Sequence, residues 1–421
     1  MTEAPVTDAA GRTETVRLAD PRTAPTPRWV FFVLAVAVGL IAANIYYAQP
    51  LVALVAQDFG VPTSTAGLVV TATQLGYVAG LVLIVPLGDL VENRRLAVAI
   101  TTVSVVGLAA ATFVTGIGAF LVASLLIGLG SVAVQILVPF ASHLASDATR
   151  GRAIGTVTSG LMLGIMLARP AASLLAQIGS WRTVFGGAAA VMVATMLVLW
   201  RVLPARAPGG APGGALGYGR LLGSMPRLIR AAPLLRRRAV YQFALFGSFS
   251  LFWTVTPLLL VQRFGFSQAG IAAFAFAGVA GAVAAPLAGR AADRGWTRPA
   301  TGLGLALALS AFVLPFLAPV GSTAAVVLLT VAAVLLDLGV TTNLTLSQRA
   351  LFALGEAQRS RINGVFMTTF YLGGALGSAL GAALYTSGGW TLAALVPLAA
   401  LTATGVYYLV ERRGRPARCP G

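Results

Sequence analysis

Two charges stand deep in long apolar runs of this sequence, Arg169 and Asp337, and they are the first candidates for chemistry. A charge at the centre of a bilayer costs about 2.5–3.5 kcal/mol on insertion scales unless it is paired or faces water, so it is kept for a purpose. Asp337 begins a polar stripe. Thr341, Thr345 and Gln348 follow it at helical spacing and share one face, which suits the wall of a wet cleft. Two readings stay open. In one, Asp337 takes up and releases a proton as its surroundings alternate, because dryness favours the protonated carboxyl and water or a cation favours the ionised one. In the other it is a static, hydrogen-bonded packing carboxyl. Arg169 shares a face with Thr158, Met162 and Ser173, and either binds an anionic group, balances another charge, or is tied to backbone carbonyls.

Residues that are missing exclude other chemistry. The chain has no lysine, so it carries neither a Walker-type phosphate loop nor a Schiff-base amine. His143 and Cys419 are the only residues of their types, which removes HExxH, thiolate metal sites, an internal disulfide and the usual nucleophile and base pairs. No enzyme activity, metal or cofactor is expected, and energy for any vectorial work must come from an ion gradient.

The elements that position these residues follow from composition. Hydrophobic residues make up 57% of 421 positions and charged ones 10%, too little polar surface for a water-soluble globule of this size. Crossing ~30 Å of hydrocarbon takes about 20 apolar residues per helix. Twelve such runs can be drawn, at 29–50, 65–87, 96–115, 117–142, 153–177, 183–203, 239–261, 268–289, 298–318, 322–347, 362–386 and 390–410. They lack the alternation of a membrane barrel, so the backbone must close its hydrogen bonds within helices. The expected fold class is an all-α integral membrane protein of twelve transmembrane helices.

All 29 basic residues are arginine, and with both termini in the cytoplasm all but Arg169, Arg182 and Arg263 fall on inner loops and tails. The net charge of +17 is therefore a topology signal, and no nucleic-acid partner is expected. Residues 1–28 have no short apolar core with a cleavage site and are expected to be an uncleaved, disordered cytoplasmic tail. Residues 29–203 form a first bundle of six helices and 239–410 a second, with 411–421 a second cytoplasmic tail. The linker, 204–238, opens with a flexible Gly and Pro stretch; its second part spaces Leu221, Met225, Leu228 and Ala232 as a surface helix would, or is a plain basic loop. Matches at nearly constant offset relate the halves: Pro50 with Pro257, Asp89 with Asp293, Arg152 with Arg361, Gly155 with Gly364, Gly164 with Gly373, Trp181 with Trp390. Two parallel six-helix repeats enclose a central cleft.

The loop after the second run reads Pro86-Leu87-Gly88-Asp89-Leu90-Val91-Glu92-Asn93-Arg94-Arg95, and its counterpart after the eighth reads Gly289-Arg290-Ala291-Ala292-Asp293-Arg294-Gly295. Together they resemble the G-x-x-x-D-R-x-G-R-R signature of the major facilitator superfamily, in its twelve-helix drug and proton antiporter branch. Val85, Leu90 and Glu92 depart from that signature, and Arg169 interrupts the Gly-Pro motif that the branch places in its fifth helix. Asn44 to Pro50, and Asp337 to Val340 with Asn343, Gln348 and Arg349, are similar to a bacterial subgroup described as efflux transporters.

The resemblance implies a small-molecule transporter coupled to protons, working as a monomer in the bacterial inner membrane. It implies cavity contacts at Asn44, Tyr47, Gln74, Gln135, Arg169, Trp253, Thr341 and Asn343, a cytoplasmic gate at Gly88, Asp89, Arg94, Arg95, Gly289, Asp293 and Arg294, and proton coupling at Asp337. Asn44 and Tyr47 share one face of their helix, while Tyr46 and Gln49 share another; Tyr and Trp near helix ends also serve as interface anchors. Gly76 with Gly80, Gly160 with Gly164 and Gly377 with Gly381 allow close helix approach, and they fall on helices that form the seam between halves in the superfamily. That suits a surface where the halves rock, with static helix packing as the alternative. Export is expected, with uptake on the same fold as its rival. A receptor would need a soluble domain and a channel a charged filter ring, and neither is apparent.

Overall fold

The computed structural model describes residues 3–7, 13–17, 27–146, 149–204, 219, 223, 229–230, 232–319, 321–354 and 359–411. The tail, expected to hold no fixed element, carries two short strands. β1 (Glu3–Thr7) and β2 (Thr13–Arg17) pair antiparallel, with Glu3 opposite Arg17 and Thr7 opposite Thr13. All other elements among the described residues are helical. The expected surface helix of the linker lies almost wholly outside the described residues, as does the tail after Glu411.

Ten helices among the described residues are long and apolar enough to cross a membrane. One of them, Arg361–Val410, has 50 residues and at 1.5 Å per residue is more than twice the length a ~30 Å core needs. It bends back at Gly388 and Gly389, where Gly389 takes φ +64, a left-handed conformation that a side chain disfavours. This element, α14 (Arg359–Glu411), therefore accounts for two expected spans. The first expected span meets α1 (Arg28–Ala43), only 16 residues long, followed by turns, a tight turn at Gln49–Leu51, and α2 (Val52–Phe59). Pro50 offers no N–H to the ladder, so the helix breaks there. Irregular backbone at membrane depth is tolerated only where protein covers it, and Tyr46, Gln49 and Pro50 are all buried.

The remaining elements of the first half are α3 (Thr63–Leu83), α4 (Asn93–Phe113), α5 (Ile117–Ser131), α6 (Val134–Leu144), α7 (Arg150–Ile178) and α8 (Trp181–Val202). The second half adds α9 (Pro233–Phe264), α10 (Gln268–Ala275), α11 (Gly281–Asp293), α12 (Thr297–Val313) and α13 (Thr323–Phe352) before α14. Each of the twelve expected spans overlaps one of these elements or a broken pair of them. Large apolar side chains such as Phe113, Leu163, Ile178 and Leu317 lie exposed on the outer helices, as a lipid solvent permits.

The repeat is visible in packing. Trp181, first residue of α8, sits against Phe120 and Phe185 at 4.9 and 5.9 Å; its counterpart Trp390 follows the α14 break and packs on Phe252 and Phe312 at 5.9 and 6.2 Å.

The glycine pairs correct one expectation. A Cβ on Gly76 would strike the Leu125 backbone of α5, on Gly164 the Gly39 backbone of α1, and on Gly377 the Gly247 backbone of α9; Gly80, Gly160 and Gly381 likewise face Val132, Ala35 and Leu251. Every one of these contacts is inside a half. Small residues let the helices of one half approach closely, and these pairs serve that packing. The seam between halves is built from other residues on α3 and α14: Thr63 with Thr386 (3.1 Å), Gly67 against Ala382, Thr71 with Ser378 (2.8 Å), and Tyr77 against Tyr371, rings 4.2 Å apart.

Candidate functional site

The centre of the molecule is built where the broken first span, α7, α9 and α13 converge. α9 is the most buried of the long helices, and Trp253 stands midway along it with 1% exposure. Arg169, on α7, is 3% exposed. Its Nε donates to Gln49 Oε1 at 2.6 Å, and its guanidinium carbon lies 4.9 Å from the Tyr46 ring, 5.0 Å from Phe249 and 4.4 Å from Trp253. Three desolvated cation–π contacts at up to roughly 2 kcal/mol each offset an insertion cost of about 2.5–3.5 kcal/mol. Aromatic faces, not backbone carbonyls, hold this charge.

Trp253 joins Arg169 to the second charge. Its Nε1 donates to Asp337 Oδ2 at 3.2 Å, so the ring presents its face to a cation and its edge to a carboxylate. Asp337 is 7% exposed, and Gly278 and Gly281 of the eighth span leave it room: a Cβ at Gly281 would sit 3.4 Å from the Asp337 Cβ and 3.3 Å from Thr341 Oγ1. Thr341, Thr345 and Gln348 continue from Asp337 as a half-buried stripe, as their spacing predicts. Arg169 Nη2 and Gln49 Nε2 are buried without a hydrogen-bond partner. Two orphaned donors side by side are a costly arrangement in a closed protein and a ready receptor for an acceptor group.

Beside this centre lies a second polar layer. Tyr77 packs against Tyr371, rings 4.2 Å apart, and Gln135 Nε2 donates to the Tyr77 hydroxyl at 3.0 Å. Gln74 Nε2 donates across the seam to Ser250 Oγ at 2.8 Å. Gln74 thus serves as a cross-half tie and Gln135 as a support for the Tyr77 hydroxyl.

Three expected cavity residues lie elsewhere. Asn44 Nδ2 points to Ser104 Oγ of α4 at 3.4 Å, and Asn343 Nδ2 donates to the Gly339 carbonyl at 3.2 Å and toward the Thr301 carbonyl of α12 at 3.4 Å. Both amides pack their own half. Tyr47 lines an outer groove between α1 and α7 with Phe32, Val36 and Leu163. Tyr46, and not Tyr47, faces inward. Tyr46, Gln49, Phe249 and Tyr371 were not among the expected cavity residues; the signal for the first two was their shared face opposite a lone buried arginine.

The loop signatures are partly described. Val85–Asp89 forms a tight turn after α3, but the Asp89 side chain lies outside what is described. Arg94 stacks over Trp200 at 4.5 Å and Arg95 pairs with Glu92 at 2.8 Å. In the second half, Arg349 of α13 binds Asp293 Oδ1 at 2.6 Å and the Gly289 carbonyl at 2.8 Å, joining both ends of the motif. Arg294 lies 5.8 Å from the Trp296 ring.

Comparison with known proteins agrees with this architecture. The chain is 40% identical over 382 residues to the uncharacterized transporter YgaY of Escherichia coli, covering 90% of this chain and 94% of that one. It is 27% identical over 258 residues to a protein named chloramphenicol efflux pump in Mycobacterium tuberculosis, covering 59% and 60%. Among solved structures it superposes on a mutant of the nucleoside transporter NupG with TM-score 0.72 at 13% identity, covering 90% of this chain and 99% of that one, a likeness of fold alone. The sequence model of the Major Facilitator Superfamily matches residues 34–355, and the chain belongs to that superfamily of membrane transporters.

Proposed function

We propose that this transporter is a proton-coupled exporter of small amphipathic molecules, a member of the drug and proton antiporter branch. In this reading it has twelve membrane crossings and both termini in the cytoplasm. The observation that carries the reading is the cross-half triad, in which Arg169 from the first half and Asp337 from the second share Trp253. Alternating access parts the halves along their seam, so a charge pair bridging that seam is made and broken in each cycle. A nearby cation favours an ionised carboxyl and a dry surrounding a protonated one, so movement of Arg169 relative to Asp337 loads and unloads its proton. A substrate entering the centre competes for the Trp253 face and for the orphaned donors of Arg169 and Gln49. Displaced from the ring, the Arg169 guanidinium turns to Asp337 and expels its proton, so that substrate and proton exclude one another, as export against inward proton flow requires.

Export draws support from the similarity to the mycobacterial efflux pump, which covers 59% of the chain. The test is transport by purified protein in liposomes under an imposed pH difference, screened across chloramphenicol, sugars, amino acids and organic acids. Movement of a solute against the direction of proton flow is the expected result. Movement with the protons makes the protein an importer, and no dependence on the gradient for any class contradicts proton coupling.

A further inference from the structure

We infer that the outer part of the eighth span belongs mechanically to the first half, and that the turns at Phe276–Ala280 are the hinge that lets it do so. This goes beyond the proposed function and takes from it alternating access and the name of the outer side, but neither proton coupling nor export. The eighth span is built in three pieces: α10, 3-10 turns over Phe276–Ala280, and α11. The two helical pieces have different hosts. α10 packs against α7 of the first half, and the Ala269 N–H donates to Gln177 Oε1 of α7 at 3.2 Å. Ser267 Oγ accepts from the Gly270 N–H at 3.3 Å, so one free donor at this helix start is satisfied locally and its neighbour by the opposite half. α11 packs against α13 of its own half, where Arg349 binds both the Gly289 carbonyl and Asp293.

The piece between them is suited to bend. A 3-10 stretch has poorer hydrogen-bond geometry than the α-helix on either side of it, and inside a helix it marks a place that yields. Gly278 lies within the stretch and Gly281 closes it, which leaves the backbone there free of side-chain bulk. The bend falls beside the central site. A Cβ on Gly278 would sit 3.1 Å from Trp253 Cζ2 and 3.6 Å from Asp337 Oδ2, and Phe274, near the end of α10, meets the Trp253 ring edge-on at 5.9 Å. When the halves part on the outer side, α10 stays on α7 while α11 leaves with α13. The strain of parting is then taken up against Trp253 and Asp337, so that opening the outer side repacks one wall of the centre.

Spin-label distances in lipid nanodiscs test this in a Cys419→Ser background, since Cys419 is the only cysteine. Labels go in pairs on Ile178→Cys at the end of α7, Ala273→Cys on α10 and Leu317→Cys beyond α12, three exposed positions toward the outer side. Two distances between Ile178 and Leu317 are expected, because the halves move. Ala273 should keep one distance to Ile178 and show two to Leu317. Gln177→Ala, which removes the fastening, should add a second distance between Ile178 and Ala273. One distance from Ala273 to Leu317 with two to Ile178 means that the eighth span moves as a rigid part of its own half, and overturns the hinge while leaving alternating access intact. An unchanged Ile178 to Ala273 distance in Gln177→Ala overturns it as well. A single distance between Ile178 and Leu317 contradicts alternating access itself, and the hinge falls with it.

Discussion

Arg169 and Asp337 come from opposite halves of the chain and meet on one indole. The Arg169 guanidinium lies 4.4 Å from the Trp253 ring and the Trp253 N–H reaches Asp337 at 3.2 Å. The ring is a connector with two separable functions. Trp253→Phe keeps a face for the guanidinium and deletes the donor to the carboxylate. Hydrogen bonds to charged groups are worth about 1.5–3 kcal/mol, so gradient-driven transport should fall by about tenfold or more with normal membrane insertion. Wild-type rates in Trp253→Phe would show that the indole N–H is not used.

The two charges should also depend on each other for stability. Removing one of two buried charges that share a ring leaves the other less compensated. Arg169→Ala should therefore unfold at lower temperature in detergent, and adding Asp337→Asn should restore part of the loss. Strictly additive effects would mean that the pair is not coupled.

Much of this architecture is legible in the sequence, because lipid demands long apolar runs and the runs are hard to miss. Arg169 and Asp337 stand out for the same reason, as charges where charges are expensive. What the sequence hides is rotation. Asn44, Tyr46, Tyr47 and Gln49 all sit on the first span, and a regular helix would divide them into faces by spacing alone. Spacing pairs Tyr46 with Gln49 and Asn44 with Tyr47, and only the fold shows that the first pair faces the centre while Tyr47 lines the outer groove. The glycines do pack helices closely, but spacing shows only that a helix has a small face, and the fold shows that the neighbour it meets lies in the same half.

Glycine placement makes a contrasting pair of predictions on α7. Gly164→Ala puts a methyl group onto the backbone of Gly39, and overpacking of that kind costs about 1–3 kcal/mol. Gly155 has no atom within 4 Å of its added Cβ, so Gly155→Ala should be neutral or raise stability by about 0.5–1 kcal/mol through helix propensity. Thermal unfolding of the two variants in one detergent checks both signs.

The Asp293 and Arg349 pair closes the loop motif of the second half, yet its side chains are 65% and 48% exposed. An ion pair so exposed contributes at most about 1 kcal/mol to stability. Asp293→Asn should leave the melting temperature nearly unchanged while slowing transport, and Asp89→Asn should likewise impair transport with normal insertion. A proportional loss of folding and activity would assign Asp293 a structural duty instead.

Asp337 is the point at which the whole account is exposed to test. If it exchanges a proton in each cycle, a side chain of the same shape that cannot ionise must uncouple transport from the gradient while leaving the substrate a place to bind. The measurement compares wild type and folded Asp337→Asn in liposomes under an imposed pH difference, following both gradient-driven transport and substrate exchange without a gradient. The account predicts that gradient-driven movement is abolished and that binding, with exchange at equilibrium, persists. Undiminished proton-driven transport by Asp337→Asn would contradict it and leave Asp337 a packing carboxyl held by Trp253.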